Sequence, residues 1–140
     1  MKTVGIYLIA LFSFVCLGSC KKDKPTYPVA GVYTGTYTVD NMPSQGSLAY
    51  SMSVFPDGSI TTKGKVSQGA EGFASGTWTI SGNAFSATIT AIGVSGDPIV
   101  QSIKATFSNQ GTLSDGTWKD THNPYTAPLS GKFSLMQRVN

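Results

Sequence analysis

The sequence predicts an all-β protein, an eight-stranded antiparallel up-and-down barrel, with a β-sandwich as the alternative arrangement. Three observations predict it. From Gly31 onward apolar and polar residues alternate with period two, and no stretch carries an apolar stripe at helical spacing. Each alternating run has one apolar face and one Thr/Ser/Lys face, the pattern of antiparallel sheet with one wet side. The connections between runs alternate strictly between short and long.

The first strand sets Tyr33, Gly35, Tyr37 and Val39 against Val32, Thr34, Thr36 and Thr38. The second puts Leu48, Tyr50, Met52 and Val54 on its apolar face, and the third Ile60, Thr62 and Val66 with Lys63 and Lys65 outward. The fourth sets Gly76, Trp78 and Ile80 against Ser75, Thr77 and Thr79, and the fifth Phe85, Ala87, Ile89 and Ala91 against Ser86, Thr88 and Thr90. The sixth offers Ile99, Ile103, Ala105 and Phe107 against Ser102, Lys104 and Thr106. In the seventh, Leu113 and Trp118 have opposite parity, which predicts a bulge near Asp115-Gly116. The eighth sets Leu129, Gly131, Phe133 and Leu135 against Ser130, Lys132 and Ser134.

Pro56-Asp57-Gly58, Ser81-Gly82-Asn83 and Asn109-Gln110-Gly111 read as tight hairpin turns with glycine supplying positive φ. Longer loops fall at 41–45, 67–72, 93–98 and 120–127. In a meander, alternate connections lie at opposite ends, so tight turns close one end and the long loops gather at the other. An even strand number brings both termini to the closed end. Eight strands enclose a space for packed side chains or one small ligand, and closure removes exposed sheet edges.

Ahead of the strands the chain has a different character. Met1-Lys2-Thr3 is a short basic start, residues 4–17 are almost wholly apolar, and Leu17-Gly18-Ser19-Cys20 ends the segment with small residues before a cysteine. These three parts make a secretory signal, and with Cys20 they resemble a bacterial lipoprotein signal whose lipobox is residues 17–20. The resemblance implies cleavage before Cys20, lipidation of its sulfur and acylation of its new amino group. An apolar stretch of about 14 residues, roughly 21 Å as a helix, is short against a hydrocarbon core of about 30 Å. Several acyl chains at about 0.8 kcal/mol per buried methylene make a durable anchor. The expected organisation is a signal peptide over 1–19, a lipidated cysteine and tether over 20–29, and one barrel domain over 30–140. Lys21 after the cysteine, rather than Asp, implies sorting to the outer membrane under the usual enteric rule.

Composition narrows the function. About 120 residues remain after cleavage, enough for one domain with its own core. Both cysteines, Cys16 and Cys20, precede the barrel, so the domain has no disulfide. Charged residues are 12% of the chain and the net charge is +3, with no basic run beyond Lys21-Lys22, which argues against a nucleic-acid partner.

Gly35-Thr36-Tyr37, Gly76-Thr77-Trp78 and Gly116-Thr117-Trp118 recur in the strands, and Ser81-Gly82-Asn83 leads into Phe85-Ser86-Ala87-Thr88. Together they resemble the lipocalin-like (calycin) barrels found as small envelope lipoproteins, over roughly residues 30–138. The resemblance implies a contact between an aromatic near the start of the first strand, here Tyr33, and a basic residue of the last, here Arg138.

No nucleophile elbow or paired-carboxylate spacing marks an active site, and His122 is the single histidine. The chain is read as non-enzymatic, with no cofactor and no metal assigned. Asp40, Glu71, Asp97 and Asp120 fall in or beside the four long loops; they are either an acidic rim able to hold a cation such as Ca²⁺ or ordinary polar loop residues. The expected task is binding a small apolar or amphipathic ligand in the barrel mouth, lined by Tyr33, Tyr37, Tyr50, Trp78 and Trp118. The alternative is a protein-interaction module, such as an inhibitor of an envelope hydrolase, working through its mouth loops. The inward small residues Gly35, Gly76, Ala87, Ala91, Ala105 and Gly131 either leave room for a ligand or let the sheet coil tightly.

Overall fold

The computed structural model describes residues 28–66, 69–93 and 95–139. The signal segment and Cys20 lie outside the described residues. The chain forms a closed eight-stranded antiparallel up-and-down barrel whose last stave is broken in two. Its strands are β1 (Gly31–Val39), β2 (Leu48–Val54), β3 (Ser59–Lys65), β4 (Glu71–Ser81), β5 (Ala84–Ile92), β6 (Pro98–Ser108), β7 (Thr112–His122), β8 (Ser130–Phe133) and β9 (Met136–Val139). From β1 to β8 each strand pairs with the next, and β8 and β9, which do not pair with each other, both bridge β7 to β1. The two-layer sandwich is thereby excluded.

Alternation dictates which faces turn inward. Tyr33, Phe85, Met52, Ile60, Ile89, Ile103, Leu113 and Met136 are fully buried, drawn from seven of the nine strands. Side chains of this kind contribute roughly 1.5–3 kcal/mol each on burial. The tight turns fall where Gly and Asp predict them. Gly58 has φ 86°, and the Asp57 carboxylate accepts from the Ser59 hydroxyl at 2.6 Å and the Ser59 N–H at 2.9 Å.

The bulge in β7 is where the parity clash puts it. Ser114 faces Thr106 and Thr117 faces Lys104, so two residues, Asp115 and Gly116, stand opposite Ala105 alone. Asp115 takes φ 52° there, and both Leu113 and Trp118 point inward.

The eighth stave corrects the expected pattern. Leu135 was expected inward but is 52% exposed, while Met136 is 1% exposed. The cause is Ser134. Its N–H donates to the Thr36 carbonyl at 2.8 Å, and its hydroxyl oxygen accepts the Thr36 N–H at 2.9 Å. A side-chain oxygen thus replaces a carbonyl in the ladder, one extra residue is inserted, and the parity flips. Val66 likewise lies beyond β3 and is exposed.

Long connections are shorter than the sequence suggests, because strands run into them. Gly72, Pro98 and Asp120 to His122 all belong to strands. The β3–β4 connection is drawn tight by the Val66 N–H donating to the Ala70 carbonyl at 2.7 Å.

Both ends of the described chain meet at the closed end. Val32 faces Val139 and Tyr33 faces Arg138. The Arg138 guanidinium donates to the Pro28 carbonyl at 2.8 Å and to the Ala30 carbonyl. The Tyr33 hydroxyl donates to the Val29 carbonyl at 2.6 Å. Burial pushes the Tyr33 hydroxyl up, opposed by the charge of Arg138 and a hydrogen bond with it. Arg138 therefore acts on the hydroxyl end of the ring.

Candidate functional site

The five aromatics expected to line one pocket divide between the two ends of the barrel. Tyr33 lies near the start of β1 and Trp78 near the end of β4, both at the tight-turn end. Trp78 donates its indole N–H to the Phe55 carbonyl at 2.9 Å and stacks on Phe85 with centroids 5.8 Å apart. These two rings form the floor.

Tyr37, Tyr50 and Trp118 do come together, and Phe133 joins them. Tyr37 meets Tyr50 edge-on at 5.5 Å and Trp118 at 6.0 Å, and Tyr50 lies 4.9 Å from Phe133. Each polar tip is tied down. The Tyr37 hydroxyl donates to the Lys65 carbonyl at 2.8 Å, and the Trp118 N–H to the Thr38 carbonyl at 3.1 Å. Burial pushes the Tyr50 hydroxyl up to about 12, with a hydrogen bond to Thr62 pulling down and the nearby Tyr37 adding to the rise. Burial raises Tyr37 as well.

The inward glycines explain where these rings go. A methyl group on Gly64 would sit 2.9 Å from the Tyr50 ring, one on Gly116 2.8 Å from the Phe133 side chain, and one on Gly131 2.5 Å from the Trp118 nitrogen. Gly35 faces the Met136 side chain at 3.0 Å in the same way. Missing side chains on one stave are thus filled by large ones from another. The space left by the glycines belongs to rings of the protein itself, and close packing of this kind is what gives a core its density.

The four acidic residues at the open end do not converge. Asp40 accepts from the Ser130 hydroxyl at 2.8 Å, and Glu71 pairs with Lys63 at 2.9 Å. Asp97 meets Tyr125, whose hydroxyl accepts the Asp97 N–H at 3.0 Å. Asp120 points inward and is buried; it accepts from Gln101 at 2.9 Å, Asn123 at 2.7 Å and the Leu129 N–H at 3.0 Å. Among the described residues no three His, Cys, Asp or Glu side chains group as metal ligands. Of the two readings of the rim, ordinary polar loop residues fit this geometry.

Asp120 was placed in a loop by the sequence, and its parity with Trp118 was the signal that it turns inward. It organises the β7–β8 connection. Asn123 then accepts the N–H groups of Tyr125 and Thr126 at 3.0 and 3.3 Å, and the Tyr125 ring lies across Gly93 of the next long loop. The open end is braced by these contacts.

Two open concavities lie on the outer face of the barrel, along β1 to β5. Phe73 and Ile92, 62% and 70% exposed, border the larger one. Phe73 sits at outward parity between Gly72 and Ala74, and an aromatic on the wet face was the sequence signal for this surface.

No family model matches the chain, and neither a curated protein nor a solved structure is significantly similar to it.

Proposed function

We propose that this is a lipoprotein of the bacterial cell envelope with a lipocalin-like barrel, anchored through Cys20 in the outer membrane, and that it works without catalysis as a recognition module for an envelope protein. The partner engages the loops at the open end, and the closed end, where residue 28 emerges, faces the membrane. The observation that carries the choice of partner is the filled lumen: the rings of Tyr37, Tyr50, Trp118 and Phe133 occupy the space over Gly64, Gly116 and Gly131. The loops around Asp120 and Tyr125 are braced before any partner arrives, which lowers the ordering cost of association. Fold-level analogy with small inhibitory barrel lipoproteins points the same way.

A second reading, a small amphipathic ligand at the mouth, is favoured by one feature. Tyr37 and Tyr50 are each only partly buried. Native mass spectrometry of the protein purified from membranes separates the two. The expected mass is polypeptide plus anchor, and the protein inhibits at least one member of a panel of envelope hydrolases, lysozyme included, through residues 123–127. A co-purified apolar molecule whose release shifts Trp118 emission overturns the protein-partner reading in favour of the ligand.

A further inference from the structure

We propose that the outer face of β1 to β5 is a binding trough for a neutral glycan chain. Two concavities of about 770 and 320 Å³ meet at the Lys63–Glu71 ion pair, which lines both. Together they extend from Thr34 on β1 to Ile92 on β5, across five neighbouring strands. At ~4.8 Å per strand step this is roughly 19 Å, a footprint for a linear chain rather than a compact molecule.

The chemistry of the floor selects the chain. Ser53, Thr61, Ser75 and Thr90 are successive cross-strand partners, so four hydroxyls stand in one row on the outer face. Hydroxyls both donate and accept, which suits a ligand that is itself rich in hydroxyls. The edge of the row is apolar. Phe73 stands 62% exposed, with the Lys63 ammonium 5.5 Å from its ring centre. A fixed exposed ring beside a hydroxyl row matches a sugar ring, which presents one C–H face and a rim of hydroxyls.

Other occupants fit less well. Among the lining residues Lys63 and Lys65 are opposed by Glu71, 2.9 Å from Lys63, which leaves a net charge of +1, a weak attraction for an anionic polymer. The barrel is closed, so an extended peptide finds no free strand edge to extend here.

Isothermal titration of the intact protein with four neutral linear hexasaccharides tests this: β-1,4-glucose, β-1,3-glucose, α-1,4-glucose and β-1,4-mannose. Saturable binding of at least one is expected, weakened about tenfold by Phe73→Ala, which is about 1.4 kcal/mol. Thr61→Val, which keeps the shape and removes one hydroxyl of the row, also weakens it. Phe55→Ala, at the closed end, leaves the affinity within about twofold. Absence of saturable binding to all four sugars at millimolar concentration overturns the proposal. So does binding indifferent to both Phe73→Ala and Thr61→Val, or tighter binding of heparin or of an extended peptide at the same face.

Discussion

Replacing Tyr50 with alanine measures how full the lumen is. Its ring touches Tyr37 and Phe133 at centroid distances of 5.5 and 4.9 Å and lies over Gly64. Taking about 150 Å² of ring surface out of water at ~25 cal/mol per Å² is worth about 4 kcal/mol. Partial burial of Tyr50 lowers that figure, and the two ring contacts, at about 0.5–1.5 kcal/mol each, restore part of it. Tyr50→Ala is therefore expected to cost about 3–4 kcal/mol, inside the range for large aromatic truncations. Urea unfolding followed by the emission of Trp78 and Trp118 gives the number, and the mutant should bind a small apolar probe that the parent protein refuses. A loss below about 1.5 kcal/mol, with the parent binding the probe equally well, would mean that the ring borders an existing pocket. The barrel would then be hollow at its open end.

Three further outcomes follow from the same geometry. Folding holds Tyr50 neutral, with its hydroxyl raised from 10.0 to about 12. The stability this confers is complete below pH 10 and is lost as pH rises towards 12, up to about 2–3 kcal/mol, so denaturant midpoints measured from pH 9 to 12 should fall over that window and fall less in Tyr50→Phe. Asp120→Ala strands the Gln101 amide and the Leu129 N–H, and should cost about 2–3 kcal/mol while raising amide hydrogen exchange across residues 123–129. Gly131→Ala drives a methyl group into the Thr38 carbonyl and the Trp118 indole; because backbone must move, a loss above about 3 kcal/mol is expected by thermal unfolding, and a neutral result would show that β1 and β8 do not approach as described.

Much of the barrel was legible because period-two alternation fixes the facing of every residue in a strand whose partners are regular. Even the β7 bulge was legible, since Leu113 and Trp118 can both point inward only if a residue is inserted between them. The Ser134 bulge was not. Phe133 and Leu135 continue the alternation without a flaw, and the signal for the break is a hydroxyl bonded to a residue ninety-eight positions away. The candidate site was half legible. Alternation put Tyr33, Tyr37, Tyr50, Trp78 and Trp118 inward, but height along the barrel decides whether they meet. Tyr33 and Trp78 stand beside tight turns, so they belong to the floor. Phe73 was missed because the fourth strand begins at Glu71, four residues before its pattern becomes regular. Whether interior glycines leave a hollow depends on which rings reach across from other staves, and no local pattern carries that.

The last residues of the chain complete the structure begun by the first. Until Met136 to Val139 dock between β1 and β7, the start of β1 keeps one bare flank and the sheet remains an open ribbon prone to pairing with its neighbours. Closure must wait for this C-terminal strand, and contacts spanning more than a hundred residues make that step slow. Deleting residues 137–140 would leave the other strands in place with an unsealed seam, an easy target for proteases.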